Sequence, residues 1–446
     1  MSERAGERAW TRSVGQVVDG AGVYFSRLST AGPLSFVAGV ATDGVGGVAE
    51  GARVAPPYVV SPAAHVVAQT KYILDHYADL LRPLGSDLND LVQVEQWIPH
   101  KNLADGYLDT SLGKGYRDRG RATSALLVPG DLMPEGAVIC AMGIGVLPGY
   151  GISKEIPPAT PGFQESMTLQ QFGETYQEEG PFNEVIAVGP YVFTVGDQVM
   201  NWKTGMIEDS VRLPDWSWWG SAIRNETDFL LTRLGSYFQR AGSDLANVVH
   251  STVYLLDGAD LFELDRVWKK RFPVDPPARS VIPVRALGIP RRELPHLKDL
   301  RHFEGAVSME HLSMGIRPGH GVKREVISTG HPTPLHESEG IKAGHLLWIS
   351  GQVAAGANGV ATSSDIDAQV DYALGRIAEI CSAAGTSLDN LVRLRGFVTH
   401  PADAYAIYAG LKRAVPRNPP TVGITGIEAL PYPGCRVMLD AVGFVP

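Results

Sequence analysis

One eight-residue pattern occurs three times along this chain of 446 residues. The first copy reads Gly85-Ser86-Asp87-Leu88-Asn89-Asp90-Leu91-Val92, and close copies begin at Gly242 and Gly385. The copies lie about 150 residues apart, which is the size of a domain and far longer than a solenoid unit. The repeat therefore predicts three similar domains in one chain.

The sequence around each copy repeats as well. An amphipathic helix is predicted before each Gly, and in the third copy its apolar positions recur at steps of three and four: Ile366, Val370, Leu374, Ile377 and Cys381. An aromatic residue stands twelve positions after each Gly: Trp97, Tyr254 and Phe397. Each copy reads as β-β-α-β-α-β-β, an α+β unit with both helices on one face of its sheet. We expect units at 1–150, 151–310 and 311–446.

Composition excludes several classes of protein. The formal charge is −9 and the chain has no basic block, which argues against a nucleic-acid partner. Three cysteines cannot form a disulfide framework, and the charged start of the chain does not read as a signal peptide. No apolar run approaches the roughly 20 residues that span a bilayer. We expect a cytoplasmic protein without a membrane partner.

The repeated segments resemble the Rid family, the reactive-intermediate deaminases that are also called YjgF-like. The resemblance is carried by Ser350-Gly351-Gln352 in the third copy and by Val195-Gly196-Asp197-Gln198 in the second. It continues at Pro277-Ala278-Arg279-Ser280 and at Val437-Met438-Leu439-Asp440-Ala441-Val442. The family's homotrimers hold their ligands in clefts between subunits. The resemblance implies that three fused copies form a single-chain pseudo-trimer, so we expect a monomer or a weak homodimer.

Arg279 is the site residue that the resemblance marks most clearly. The family's arginine in this motif clamps a substrate carboxylate, and a guanidinium suits this role because it donates two parallel hydrogen bonds. At the corresponding place the first copy has Thr123 as the best match, and the third copy has no arginine in register. The alternative is a strand-end arginine paired with a surface carboxylate, which contributes little.

The resemblance implies further residues of the site. Glu304 or His302 is the candidate for orienting water, unless the two form the solvent face of a strand. Ser280 and Ser350 are candidate ligand contacts. The family also places a Tyr over the ligand; counting back from the opening strands gives Phe182 in the second copy, Phe25 in the first and Glu337 in the third. Trp202 belongs to a cluster with Trp216, Trp218 and Trp219, which lines an enlarged pocket or packs as a loop against a neighbouring repeat.

The function that the resemblance implies is hydrolysis of a carboxylate-bearing imine or enamine, with release of ammonia, at a cleft between repeats. The partner would be a small carboxylate metabolite, and no metal or organic cofactor is expected, because imines hydrolyse readily once positioned and protonated. Two alternatives stay open. One is a different hydrolytic or tailoring reaction in specialised metabolism on the same scaffold. The other is a ligand-binding protein without catalytic activity.

Overall fold

The computed structural model describes residues 9–54, 62–113, 122–160, 182–201, 206–213, 220–287, 309–333 and 335–446. The α+β class and the order β-β-α-β-α-β-β predicted for each copy are confirmed, with one additional strand in front of each set and a short two-stranded hairpin before the first helix of the second set. The three sets are called the first, second and third units below. No helix in these ranges combines the length and the apolar character that a membrane crossing requires.

The elements of the three units follow the same order, apart from the short hairpin of the second unit. The first unit contains β1 Arg12–Gly20, β2 Val23–Ala31, β3 Leu34–Val40, α1 Pro62–Leu81, β4 Leu91–Trp97, α2 Ala104–Gly113, β5 Thr123–Leu127 and β6 Cys140–Val146. The second contains β7 Lys154–Glu155, β8 Val185–Val188, β9 Tyr191–Thr194, β10 Met200–Asn201, β11 Met206–Ile207, α3 Ala222–Arg240, β12 Val248–Leu255, α4 Leu261–Arg271, β13 Ala278–Pro283 and β14 Met309–Ile316. The third contains β15 Arg324–Ile327, β16 Gly340–Ala343, β17 Leu346–Val353, α5 Ile366–Ala383, β18 Leu391–Val398, α6 Ala404–Ala414, β19 Thr421–Gly426 and β20 Val437–Phe444.

The helix α5 shows why the sequence folds locally as it does. Asp365 caps its first turn by accepting a hydrogen bond from the amide of Ala368 at 2.8 Å. Val370, Leu374 and Ile377 are buried against the sheet, as their spacing predicts. The backbone conformation explains why each repeated segment begins with glycine. Gly85, Gly242 and Gly385 adopt φ values of 74°, 77° and 80°, the left-handed region that favours glycine.

The strands of each unit are hydrogen-bonded in the same order. In the second unit the order is β13-β12-β14-β9-β8-β7, with β12 and β13 parallel. The first and third units have the equivalent orders and are joined into one sheet, because β19 pairs with β2 at Thr421 and Ser26. The strand β14 pairs with β12 and β9 as far as Ile316, so the second unit's sheet extends past residue 310. The limits expected for the three units, 1–150, 151–310 and 311–446, stay predictions.

The three units close into a ring. Contacts run from β5 to β9, from β13 to β17 and from β19 to β3, which join the first unit to the second, the second to the third and the third to the first. The same backbone hydrogen bond recurs at each interface: Asn183 N to Ala122 O at 3.4 Å, Ser338 N to Pro277 O at 3.3 Å, and Ser26 N to Pro420 O at 2.9 Å. A chain that repeats one interface three times in a cycle has pseudo-threefold symmetry.

Equivalent residues from all three units meet at the centre of this ring. Glu95, Thr252 and Arg395 occupy matching positions on β4, β12 and β18, each two positions before the repeated aromatic residue of its strand. Arg395 donates from Nη1 to Glu95 Oε2 at 2.9 Å and from Nη2 to Thr252 Oγ1 at 2.9 Å. It also binds Asp440 through Nε at 2.9 Å. The repeated aromatics form the adjoining layer, where the rings of Trp97 and Phe397 lie 5.3 Å apart.

Candidate functional site at the interface of the second and third units

Arg279 lies on β13, buried between the second and third units. Its side chain has 0% exposed surface. The Nη2 atom donates to Asp265 Oδ1 at 2.6 Å, and Nε donates to Glu337 Oε2 at 3.3 Å. The guanidinium carbon stands 4.6 Å from the centre of the Trp268 ring, within the range of a cation–π contact. Asp265, Arg279 and Glu337 are called the buried triad below.

One donor of the guanidinium stays without a partner. Among the residues that the structure describes, Arg279 Nη1 is buried and has no hydrogen-bond acceptor. A buried charged donor in this state costs free energy, because it has lost its water without gaining a partner. Nη1 is thus the one nitrogen of this guanidinium that has no acceptor among the described residues.

Segment 335–338 of the third unit holds Glu337 in place. The amide of His336 donates to Asp265 Oδ1 at 3.2 Å, and its Nε2 lies 2.6 Å from the carbonyl oxygen of Phe272. The hydroxyl of Ser338 donates to the carbonyl of Pro276 at 2.5 Å. Residues on both sides of Glu337 are thus fixed to the second unit, and its carboxylate is preorganised beside Arg279.

Strand register shows which residues replace Arg279 at the other two interfaces. Arg279 pairs with Ser251 on β12, and the matching pairs are Val94 with Ser124 and Leu394 with Val422. The equivalent in the first unit is therefore Ser124, one residue beyond the expected Thr123, because the register is set by β4 and not by the local motif. No arginine stands at the matching position of the third unit, as expected.

The other members of the buried triad are replaced by uncharged residues too. Phe182 and Phe25 precede the two amides that are equivalent to Ser338, so they match Glu337. The equivalents of Asp265 on α2 and α6 are Leu108 and Tyr408, and Phe25 contacts Tyr408 with a centroid distance of 6.2 Å. Two interfaces of the ring are thus held without charge at these positions.

Burial and the neighbouring charges separate the two carboxylates of the triad. Burial raises the pKa of Glu337 to about 7, although Arg279 acts in the opposite direction. Burial alone would also raise the pKa of Asp265, but Arg279, the amide of His336 and Lys269 together hold it below its usual value. Asp265 is therefore ionised near neutral pH, while Glu337 keeps its proton to a higher pH than an ordinary carboxyl group does.

Two further groups border the triad. Burial, and then the charge of Arg279, lower the pKa of His311 to about 3, so this ring is neutral at pH 7. Burial, and then the charge of Glu337, raise the pKa of Tyr432, which stays protonated. Within the described ranges no three His, Cys, Asp or Glu side chains gather as metal ligands would.

A family model described as Endoribonuclease L-PSP, the YjgF/Rid family, matches residues 173–294 and 332–444, more than half of the chain. The chain belongs to this family. The two matched ranges fall on the second and third units, the pair that encloses Arg279. The first unit of this Rid-family chain lies outside both ranges and has the same order of elements.

Individual relatives of the Rid-family chain match one unit's length. Reactive Intermediate Deaminase A, chloroplastic, of Arabidopsis thaliana is 29% identical over 108 residues, which cover 24% of this chain and 52% of that protein. The chain thus spans about half of the length of this relative. A 2-iminobutanoate/2-iminopropanoate deaminase of Bos taurus is 28% identical over 108 residues, which cover 24% of this chain and 71% of the relative.

Solved structures of Rid-family proteins match similar shares of the chain. A YjgF/YER057c/UK114 family member from Mycobacterium tuberculosis is 26% identical, covers 28% of this chain and 100% of its own, and has a TM-score of 0.25. RidA from the Antarctic bacterium Psychrobacter is 23% identical, covers 27% and 100%, and has a TM-score of 0.26.

The structure places the predicted contacts of the Rid-family site in different surroundings. Ser350 lies on β17, the strand that contacts β13, and its hydroxyl donates to Glu339 O at 3.0 Å. Ser280 points the other way along β13 and donates to Asp440 Oδ2 at 2.6 Å, in the central network. Phe182 lies at the interface of the first and second units, so the structure does not bring it to Arg279.

The acid that the structure shows on the last strand of the second unit is not one of the predicted candidates. Glu304, His302 and the cluster with Trp202 lie outside the described residues. The last strand of the second unit is Met309–Ile316, and Glu310 pairs with Tyr254 as Met438 pairs with Phe397. Glu310 is therefore the acid on this strand, and it accepts from Gln198 Nε2 at 2.8 Å. Glu310 faces the first unit. A Cβ atom added to Gly196 would touch both the Glu310 carboxylate and Ala125 of the first unit, so these three residues lie close together.

Sequence reasoning missed Asp265 and Glu337 as members of the site. The sequence marks Glu337 only as the place where the third unit lacks the aromatic residue of the other two, although a charged residue at this place is itself informative. Asp265 carries no motif. Its signal lies in the comparison of the three helices, where an acid replaces Leu108 and Tyr408 at a buried position.

Proposed function

We propose that this chain hydrolyses the C=N bond of a small imine or enamine that bears a carboxylate, and that it releases ammonia. The reaction takes place at the interface of the second and third units. Arg279 anchors the substrate carboxylate through Nη1, and the walls of the interface exclude bulk water. The single observation that carries this proposal is the buried Nη1 donor without an acceptor in the described residues.

The composition of the buried triad supports a functional role. Replacing a buried ion pair by apolar residues of similar volume is often neutral or stabilising, so charge is a poor way to hold two units together. At the matching positions the other two interfaces have Phe25 and Tyr408, which are in contact, and Phe182 and Leu108. The fold therefore does not require charge at these positions, and a site for an anionic ligand gives a reason to keep it.

The names of two relatives agree with this reaction class, since they are called deaminases of reactive intermediates and of 2-iminobutanoate and 2-iminopropanoate. Both named substrates carry a carboxylate next to an imine carbon. A guanidinium suits the carboxylate, and an acid beside it suits the imine. We also propose that the chain acts as a monomer or a weak homodimer, because it closes its three interfaces within one chain. The cytoplasm is the compartment that we propose for it.

The substitution Arg279→Lys tests the proposal. We expect kcat/KM for 2-iminobutanoate to fall by about 100-fold or more, because an ammonium cannot donate to two carboxylates and a ligand in one plane. Ammonia release from enzymatically generated 2-iminobutanoate is the measurement, with the spontaneous rate subtracted.

Arg233→Lys is the matched control. Arg233 belongs to the same unit and also binds two carboxylates, Asp197 at 3.1 Å and Glu208 at 3.1 Å. We expect this variant to keep the rate of the wild type. Equal rates for wild type and Arg279→Lys contradict the proposed site, and binding of 2-oxobutanoate without any turnover indicates a ligand-binding protein.

A further inference from the structure

A second buried arginine near the ring centre makes no hydrogen bond at all. Arg393 lies on β18, two positions before Arg395, and pairs with Val442 of β20. Arg393 is 7% exposed. Among the described residues it has neither a hydrogen-bond acceptor nor an ion-pair partner, and its Nε atom is fully buried. A guanidinium in this state is costly, because it has lost water without gaining a partner.

Another donor without an acceptor lies beside this arginine. The guanidinium carbon of Arg393 is 5.3 Å from the centre of the Trp348 ring. The indole Nε1–H of Trp348 is buried and has no acceptor in the described part of the chain. Both residues pair with Val442, Trp348 from β17 and Arg393 from β18. Two kinds of donor, in adjacent side chains, therefore lack acceptors at one place.

The carboxylates of the central network do not fill this need. Glu95 and Asp440 each accept from Arg395 with both of their oxygens. Their charges reach Arg393 without a hydrogen bond. Burial, and then the charge of Arg395, lower the pKa of Arg393 to about 10, while Glu95 and Asp440 oppose this shift. Arg393 is therefore a cation at neutral pH.

Strand register shows that both donors belong to the third unit alone. Three residues pair with equivalent positions of the last strands from the strand that follows the first helix: Gln93, His250 and Arg393. Three more pair with the same last-strand positions from the opening strand: Phe36, Phe193 and Trp348. Burial lowers the pKa of His250 to about 3, so the first and second units have no charge here. The ring therefore packs these positions twice without a cation and without an indole.

We propose that Arg393 and Trp348 bind a monatomic anion of the halide class near the axis of the ring, where the ion compensates the charge of the arginine. The donors define this class. A guanidinium and an indole N–H donate and accept nothing, so the ligand has to accept from both. A halide ion only accepts and does so from any direction, whereas a water molecule also needs acceptors for its own two hydrogens.

The surroundings of Arg393 favour a single-atom ion over an organic anion. Trp348, His250 and Arg395 are all buried. The rings of His250 and Trp348 lie 5.8 Å apart on one side of the arginine, and the network of Arg395 lies on the other. The apolar cluster that contains Trp348 also contains Val392 and Val442, which flank Arg393. This place is thus separate from the interface that holds Arg279, and the proposal does not depend on the reaction proposed there.

The dependence of stability on chloride tests the proposal. Urea unfolding is measured while sodium chloride replaces sodium gluconate at constant ionic strength, because gluconate is too large for an enclosed single-atom site. Above the dissociation constant of one ion, the unfolding equilibrium constant of the wild type should fall about tenfold for each tenfold rise in chloride. Arg393→Gln copies Gln93 of the first unit and should lose this dependence.

Two further variants separate binding from general effects of salt and from misfolding. Arg413→Gln removes an exposed arginine of the same unit, which pairs with Asp371, and should keep the chloride dependence of the wild type. Trp348→Phe copies Phe36 and keeps the cation. It should need about 10-fold more chloride or higher for the same effect, because one hydrogen bond to the ion is lost. Equal chloride dependence in wild type and Arg393→Gln overturns the proposal.

Crystals grown in sodium bromide locate the ion. Data collected at the bromine absorption edge should show an anomalous peak within hydrogen-bond distance of Arg393 in the wild type and none in Arg393→Gln. A feature at this place without anomalous signal is a water molecule and contradicts the proposal. A peak in a wild type whose stability does not respond to chloride is an adventitious ion only, and it contradicts the proposal as well.

Discussion

Replacing the whole buried triad by the uncharged residues of a neighbouring interface is expected to remove activity and leave the fold intact. The changes are Asp265→Leu, Arg279→Ser and Glu337→Phe, which copy Leu108, Ser124 and Phe182 of the first and second units. Ammonia release should fall to the spontaneous rate, because the guanidinium that anchors the substrate carboxylate is gone. The free energy of unfolding should stay within about 1.5 kcal/mol of the wild type, since apolar replacement of a buried ionic group is tolerated when volume is kept.

The matched control is the single change Arg279→Ser. This variant leaves the carboxylates of Asp265 and Glu337 buried without their cation, and we expect it to lose about 3 kcal/mol in urea unfolding at pH 8. The loss should shrink as the pH falls from 8 to 6, because without the arginine burial raises the pKa of Glu337 further and protonation then removes its unpaired charge. A triple variant as unstable as the single variant would show that the triad is a structural element of the interface.

Removing the central arginine is expected to have the largest effect on stability. Arg395 binds Glu95, Asp440 and Thr252 at the ring centre, and all of these groups are buried. Arg395→Met leaves two buried carboxylates uncompensated, which costs about 3–5 kcal/mol in the free energy of unfolding. Urea unfolding at pH 7 is the measurement.

The pH dependence of this loss identifies its origin. Burial alone raises the pKa of Asp440, but Arg395 and its hydrogen bonds, with His250 and Arg393, lower it below the usual 3.8. Asp440 therefore adds stability above pH 3.8, which is lost as the pH falls through its lower folded value. The gap between wild type and Arg395→Met should narrow below pH 4.

An exposed arginine provides the control for the central one. Arg413 pairs with Asp371 on the surface at 2.8 Å, and surface pairs contribute little. Arg413→Met should unfold close to the wild type at every pH. A central variant that behaves like this surface variant would contradict the view that Arg395 holds the three units together.

The sequence predicted the fold closely where its signals are local or repeated. The stripe from Val370 to Cys381 is buried as a helix face, and the repeated aromatics meet at the centre because equivalent positions converge on a symmetry axis. The acid of the last strand of the second unit differs from the sequence-based candidates Glu304 and His302. The connection from β13 to β14 is longer there than in the other units, and the strand that carries Glu310 begins at Met309.

The site was predicted only in part because its contacts span the chain. The motif around Arg279 located the guanidinium, but its partner Glu337 lies 58 positions away in another unit. Which units meet depends on the direction of the ring, and no local pattern carries that direction. The same limit separated Arg279 from Phe182, which the ring assigns to a different interface.

A crystal structure of the wild-type chain soaked with 2-oxobutanoate tests the central claim most directly. The account predicts electron density for one ligand between β13 and the segment that carries Glu337, with its carboxylate accepting from Arg279 Nη1. Density for the ligand at another interface, or an unchanged triad at a ligand concentration that supports turnover, would contradict it.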